Sequence, residues 1–328
     1  MKRWAYAVGA AGLVLAGCGG DGGSSPPISV IPGGPSPTPT PSSSPTATPT
    51  PSASYQTYAQ LTGNQSFQTA CAALNFSNGN PPAPQPATNF GDGLTLAYTA
   101  ATDSYTISGD GLSLSYAPAQ LDPAAPAGVR GYLRTENGFT QRFSIGTPAP
   151  GGVALDYVRA FSLRALRNGQ TLQYQCVFGV PTRLTDPPDA TTVTFTRVGI
   201  NGAAYVAPVG GGLQTYALTA STATLSVNVA TGEATTVLRL VGTLQTASGP
   251  ASTTTELGTF TGVGDFDDTR PSFYGPLTST DRDSQFSFFG GWFFGPQGRE
   301  AAFSTQILAV DRTTGARMSV LANVFAAR

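Results

Sequence analysis

From Tyr55 onward the chain is written in short runs whose apolar residues fall on every second position, divided by Gly, Asn, Asp and Pro, and that spacing confines it to β-structure. Successive side chains on a strand point to opposite faces, so such a run buries one face and wets the other. Leu94, Leu96 and Tyr98 make one run; Tyr105 and Ile107, then Leu112, Leu114 and Tyr116, make the next two. Phe139, Phe143 and Ile145, followed by Leu172, Tyr174, Cys176 and Phe178, continue the pattern. The breaker-rich segments 80–86 and 122–126 read as surface loops, and Asp186, Pro187, Pro188 and Asp189 read as a boundary between two subdomains.

Beyond that boundary the runs lengthen. Val193 and Phe195, Tyr216 and Leu218, Leu225 to Val229, and Val237 to Val241 each fit a strand. Gly232 and Gly315 close short turns, as hairpin loops require. About eight strands are expected after Asp189, and consecutive hairpins favour an up-and-down barrel that closes on itself and leaves no sheet edge. The outward positions are dense in Thr and Ser, which points to a soluble barrel and away from one with a lipid-facing apolar band. The expected fold is therefore all-β: a β-rich subdomain over 55–188, then an eight-stranded antiparallel barrel over 189–328.

The first 54 residues follow another rule. Lys2 and Arg3 precede an apolar stretch, Trp4 to Leu15, too short to span a bilayer, and Leu15, Ala16, Gly17 and Cys18 end it in the pattern of a bacterial lipobox. Residues 1–17 are expected to be a signal peptide, and the Cys18 thiol the point at which lipid holds the protein to a membrane. Gly19 and Gly20 after the cysteine fit an outer-membrane destination, exposed at the cell surface. Residues 18–54, almost wholly Gly, Ser, Pro and Thr, read as a disordered linker; as extended polyproline II at ~3.1 Å per residue it would reach roughly 100 Å.

With the signal peptide removed, arginine supplies every side-chain cation, against 18 acidic residues. No basic cluster forms, so nucleic acid is not an expected partner. Cys71 and Cys176 remain after Cys18 is lipidated, and an exported chain meets an oxidising compartment. A disulfide between them is expected over two separate buried thiols.

Residues 286–303 hold the densest aromatic signal: Phe286, Phe288, Phe289, Gly290, Gly291, Trp292, Phe293, Phe294, Gly295, Pro296, Glu300 and Phe303. Aromatics spaced around glycines read as a core strand, a Gly-Pro turn and a resumed strand. Gly291, Phe293, Phe294, Gly295 and Pro296, with Glu300 and Phe303 after them, also resemble a signature near the end of the barrel domain in transferrin-binding protein B and related surface lipoproteins. Ala301 and Ala302 stand where that family commonly has glycines. With Phe260, Gly262, Asp265, Phe266, Phe273, Gly275 and Leu277, the resemblance covers roughly residues 255 to 325. It implies a handle-like β subdomain followed by a barrel, on a lipoprotein displayed at the outer-membrane surface. The motif residues carry a structural role in that resemblance, and no ligand residue transfers.

The side-chain inventory limits chemistry. Without histidine there is no Ser-His or Cys-His pair and no histidine-ligated metal or haem; without lysine after residue 17 there is no Schiff base or P-loop. Glu136, Glu233, Glu256 and Glu300 are not paired as acid and base, and no catalytic residue or cofactor is expected. The acidic clusters Asp265, Asp267, Asp268 and Asp281, Asp283 lack calcium-loop spacing and read as solvated turns. Arg159, Arg164 and Arg167 offer a candidate cationic patch beside the plainer reading of an exposed strand face. The expectation is a non-enzymatic surface lipoprotein that binds a macromolecule or an iron-carrying ligand and hands it to an outer-membrane receptor. Two alternatives stand beside it: a structural envelope lipoprotein, and a lipocalin-like carrier with an open barrel interior. A core packed by Phe288, Phe293 and Phe303 separates the carrier from the others.

Overall fold

The computed structural model describes residues 54–267 and 272–328. The lipobox residues Leu15, Ala16, Gly17 and Cys18, the linker up to residue 53, and Asp268 lie outside the described residues. The first ten strands are β1 (Gln65–Gln68), β2 (Ala70–Asn75), β3 (Ala83–Pro84), β4 (Thr95–Thr99), β5 (Ser104–Gly109), β6 (Leu112–Tyr116), β7 (Val129–Glu136), β8 (Phe139–Gly146), β9 (Val158–Arg167) and β10 (Gln170–Gly179). The next ten are β11 (Thr192–Thr194), β12 (Arg197–Ala207), β13 (Gln214–Ala217), β14 (Thr222–Asn228), β15 (Glu233–Thr246), β16 (Gly249–Asp267), β17 (Ser272–Thr278), β18 (Arg282–Phe294), β19 (Glu300–Asp311) and β20 (Arg317–Ala327). Every strand pairing among the described residues is antiparallel.

Strands β1 to β10 build two sheets, in the orders β1-β4-β5-β6 and β3-β2-β10-β9-β8-β7. The alternation read from the sequence sets their inner faces: Leu96, Ile107, Tyr116, Tyr132, Phe143, Phe161, Leu163 and Phe178 are buried together between them. Burying an aromatic side chain of this size removes about 150–250 Å² from water, so these rings dominate the core of the first half.

The remaining strands close into a ring. Starting at β15 the order is β13, β12, β20, β19, β18, β17, β16 and back to β15, eight strands in all. Two walls are interrupted: β14 continues the line of β13 along β15, and β11 continues the line of β12 along β14. The seal is the pairing of β12 with β20, eleven residues long from Arg197 opposite Ala327 to Ala207 opposite Arg317. The expected eight-stranded up-and-down barrel is the observed one.

Its lumen is filled. Phe273, Phe289, Phe293 and Phe303 are each buried without exposed surface, and their ring centroids stand 5.4–6.4 Å apart where they meet. Phe288 corrects the sequence reading. A bulge between Gln285 and Phe288 shifts β18 by one residue, so Phe289 enters the lumen while Phe288 stays outside, stacked on Tyr274 at 5.6 Å.

Strand β2 joins the two halves because it is buried on both faces. Cys71 and Ala73 pack into the first-half core, whereas Ala72 and Leu74 pack with Tyr205 and Leu321 of the barrel. Cys71 stands directly opposite Cys176 of β10, with Cα atoms 4.2 Å apart, and the two form a disulfide.

Candidate functional site

The aromatic motif occupies the end of β18, the turn after it and the start of β19. Gly291 lies where these strands leave no room for a side chain: a Cβ there would sit 2.0 Å from the Ala302 carbonyl oxygen. Phe293 and Phe303 belong to the lumen, and Phe294 meets Phe90 edge-on at 5.7 Å. Gly295 adopts φ +74, with the Tyr157 ring against the place a Cβ would take, and Pro296 opens the short 3-10 turn Pro296–Gly298. The segment after β10 is stitched to this turn: Thr182 donates to the Gly295 carbonyl at 2.6 Å, and the Trp292 indole N–H donates to the Thr182 carbonyl at 2.9 Å.

Glu300 has the most specific environment of the motif. It is 3% exposed, and its carboxylate accepts three successive backbone N–H groups where the chain enters β9: Asp156 on Oε1 at 2.7 Å, and Tyr157 and Val158 on Oε2 at 2.9 Å each. Burial raises the carboxyl above its ordinary value, and the three amides pull the other way without cancelling it. Beside it Arg159 is held against Tyr58, 4.4 Å from the ring centre, and donates to the carbonyls of Leu155 and Val158. The glutamate thus fastens the first half of the chain to the barrel.

Further polar residues line the same seam. Ser304 donates to the Ala70 carbonyl at 2.7 Å and lies 2.8 Å from Asn323 Oδ1. Asn323 donates to Gln175 Oε1 at 3.2 Å, Ser319 to the Pro82 carbonyl at 2.6 Å, and Gln306 to the Gln85 carbonyl. Sequence reasoning missed all four. They alternate with lumen residues and so read as a wet barrel wall; only the sheet and strap lying over them make them buried.

Arg159, Arg164 and Arg167 form no cationic patch. Arg159 is turned inward as described, Arg164 lies over Phe139 at 5.5 Å, and Arg167 is paired with Asp110. Asp281 and Asp283 flank Arg282, which bonds Asp311 at 3.2 Å, while Asp283 takes Arg312 at 2.7 Å. Among the described residues no cluster of carboxylates or cysteines is arranged to hold a metal.

Two concavities flank the strap Ala83–Ala87. One, of about 440 Å³, is lined by Cys71, Ala73, Leu94, Asp110, Arg167 and Tyr174, where the Tyr174 hydroxyl donates to Asp110 at 2.7 Å and Arg167 to Gln85 at 3.0 Å. Burial and the Asp110 bond both raise the Tyr174 phenol. The other, of about 570 Å³, opens on the outer wall of the barrel between the strap and Tyr274, Phe286, Phe288 and Leu308. On the first half, Tyr98, Tyr105 and Tyr132 gather around Arg130, which pairs with Asp103 and lies 5.6–5.7 Å from two of the rings. Arg130 holds the Asp103 carboxyl below its usual range, and burial pushes the Tyr132 phenol up to about 12.

These elements define a class: a closed, filled β-barrel with a β-rich handle bonded to its wall. Solved structures similar to the chain include transferrin-binding protein B from Haemophilus parasuis, at 15% identity and a TM-score of 0.42 over 79% of this chain and 44% of that one. The isotype 1 transferrin-binding protein B of serogroup B Neisseria meningitidis gives 16% identity and a TM-score of 0.40 over 80% and 44%. HpuA from Kingella denitrificans, solved in complex with human haemoglobin, gives 12% and 0.34 over 84% and 90%. The matched region is thus less than half the length of these transferrin-binding proteins. No family model and no curated protein matches the sequence.

Proposed function

We propose that the chain is a non-enzymatic surface lipoprotein that recognises a macromolecular partner with the outside of its handle and barrel. The filled lumen carries this reading: Phe273, Phe289, Phe293 and Phe303 occupy the space in which a lipocalin-like carrier would hold its cargo, so recognition falls to the outer faces. The handle and barrel are bonded along a polar seam into a platform suited to holding those faces in fixed relation. Cys18 is the proposed lipid attachment, and the Pro-rich linker the tether that holds this platform away from an outer-membrane surface. A macromolecule or an iron-carrying ligand is the partner that the sequence resemblance suggests, with an outer-membrane receptor as the recipient.

Protease treatment of intact cells followed by mass spectrometry tests display. Cleavage within 54–328 before lysis is expected, and protection until lysis would refute surface display. Capture on the purified protein from growth medium tests recognition: a saturable partner is expected, and its absence would leave the structural envelope role.

A further inference from the structure

Phe286 is held in a conformation that folding alone does not favour. Six non-glycine residues among those described have positive φ; five are Asp, Asn or Gln, and the sixth is Phe286 at φ +46. Asp and Asn tolerate this region through local hydrogen bonds, whereas a bulky apolar residue there is a steric outlier. Phe286 is also 70% exposed, so it gains little from packing within the chain. The bulge that projects it is well made: Gln285 faces Leu308, Phe288 faces Gln306, and the Ser287 hydroxyl between them accepts the Leu308 N–H at 3.1 Å. Bulges of this kind re-aim a side chain, and strain held in place by its surroundings points to use.

What Phe286 borders is the 570 Å³ groove on the barrel wall. None of its lining residues is charged: Ala83, Pro84, Pro86 and Ala87 stand on one side, and Tyr274, Phe288 and Leu308 on the other, with Gln85 and Gln306 also lining it. A charged occupant would lose hydration there without gaining a counter-charge. Addition of a partner strand to the edge strand β3 is also disfavoured, because Pro84 and Pro86 lack N–H groups, the Gln85 N–H already donates to Ala73, and the Gln85 carbonyl already accepts from Gln306. Insertion of side chains remains.

We propose that this groove receives uncharged aromatic or branched aliphatic side chains of a protein partner, with Phe286 closing over them as an anchor at the rim. The proposal rests on the binding role above and gives that role a place on the barrel. Aromatic anchors beside a desolvated pocket are the usual seat of binding energy in protein interfaces.

The test is selection of a random dodecapeptide display library on the purified full chain, followed by measurement of the selected peptides on three variants. Peptides with an uncharged aromatic or aliphatic core are expected, binding Phe286→Gly and Leu308→Asn about tenfold or more weakly than wild type. Val237→Ser, on another wall of the barrel, should bind them as wild type does. Phe286→Gly should unfold at the same or a higher temperature than wild type, because glycine adopts φ +46 without strain; a structural role for Phe286 would lower it instead. Peptides with a charged core, wild-type affinity for both groove variants, or no enriched peptide would each overturn the proposal. A partner captured from growth medium that binds Phe286→Gly unchanged would remove the groove and leave the binding role standing, whereas failure of wild type to capture any partner would remove the role itself.

Discussion

Replacing Glu300 by alanine takes the only acceptor from three backbone N–H groups, those of Asp156, Tyr157 and Val158, at the junction of handle and barrel. Each buried donor left unpaired costs roughly 1–3 kcal/mol. Two effects offset part of that: the several kcal/mol needed to bury a carboxylate disappear, and water entering the vacated space can pair with some of the amides. The net loss expected at neutral pH is about 2–4 kcal/mol, or roughly 5–15 °C in unfolding temperature. Glu300→Gln keeps the shape and one oxygen but sets an NH2 against one of the N–H groups, for a loss of about 1–2 kcal/mol. Urea unfolding supplies the energies, and amide hydrogen exchange at 156–158 locates them. A loss below about 0.5 kcal/mol for the alanine variant, or unchanged exchange at those amides, would refute the fastening role. The pH dependence has a definite sign. Because burial raises the folded carboxyl above 4.5, the folded chain holds the proton more tightly than the unfolded one. The contribution of Glu300 is therefore greatest below pH 4.5 and declines as pH rises through the folded value, a slope that Glu300→Gln should abolish.

Asp103 titrates in the opposite sense. Arg130 lowers its carboxyl, so the pair contributes stability above the unfolded value of 3.8 and loses it as pH falls through the folded value, and Asp103→Asn should flatten the acid limb of a stability profile. Opening the disulfide, by reductant or by Cys71→Ser with Cys176→Ser, releases a span of 105 residues and should lower the urea midpoint by an amount worth up to ~4.7 kcal/mol; an unchanged midpoint would count against loop closure as its effect. Phe303→Ala should cost about 3–5 kcal/mol and admit an apolar dye that the wild-type lumen excludes, and dye uptake by the wild type would restore the carrier reading.

Much of this fold was legible because β-structure writes its periodicity plainly. The alternation at Leu94 to Tyr98 and at Leu112 to Tyr116 named the buried faces, and the hairpin around Gly315 lies where the turn residues placed it. Local pattern failed where a third layer or a register shift intervened. Ser304, Gln306, Ser319 and Asn323 look solvent-facing until another sheet lies over them. Phe288 and Phe289 are adjacent aromatics, and only the bulge at Phe286 decides which enters the lumen. Arg159 sits in a strand like its neighbours, and its inward turn depends on the distant Tyr58. The groove beside Phe286 escaped for the same reason: its two sides, 83–87 and 274–308, are far apart in sequence.

The closure of β12 on β20 also sets a schedule for synthesis. β12 pairs early with β13 but finds its second neighbour only in β20, the last strand of the ring, and Ser304 reaches back 234 positions to Ala70 at the seam. Contacts of such range form slowly, and the ring cannot seal before its closing strand has been made. Until then the lumen phenylalanines and the edges of β12 and β19 that β20 covers stand open, and loss of β20 should yield aggregate and not a smaller barrel.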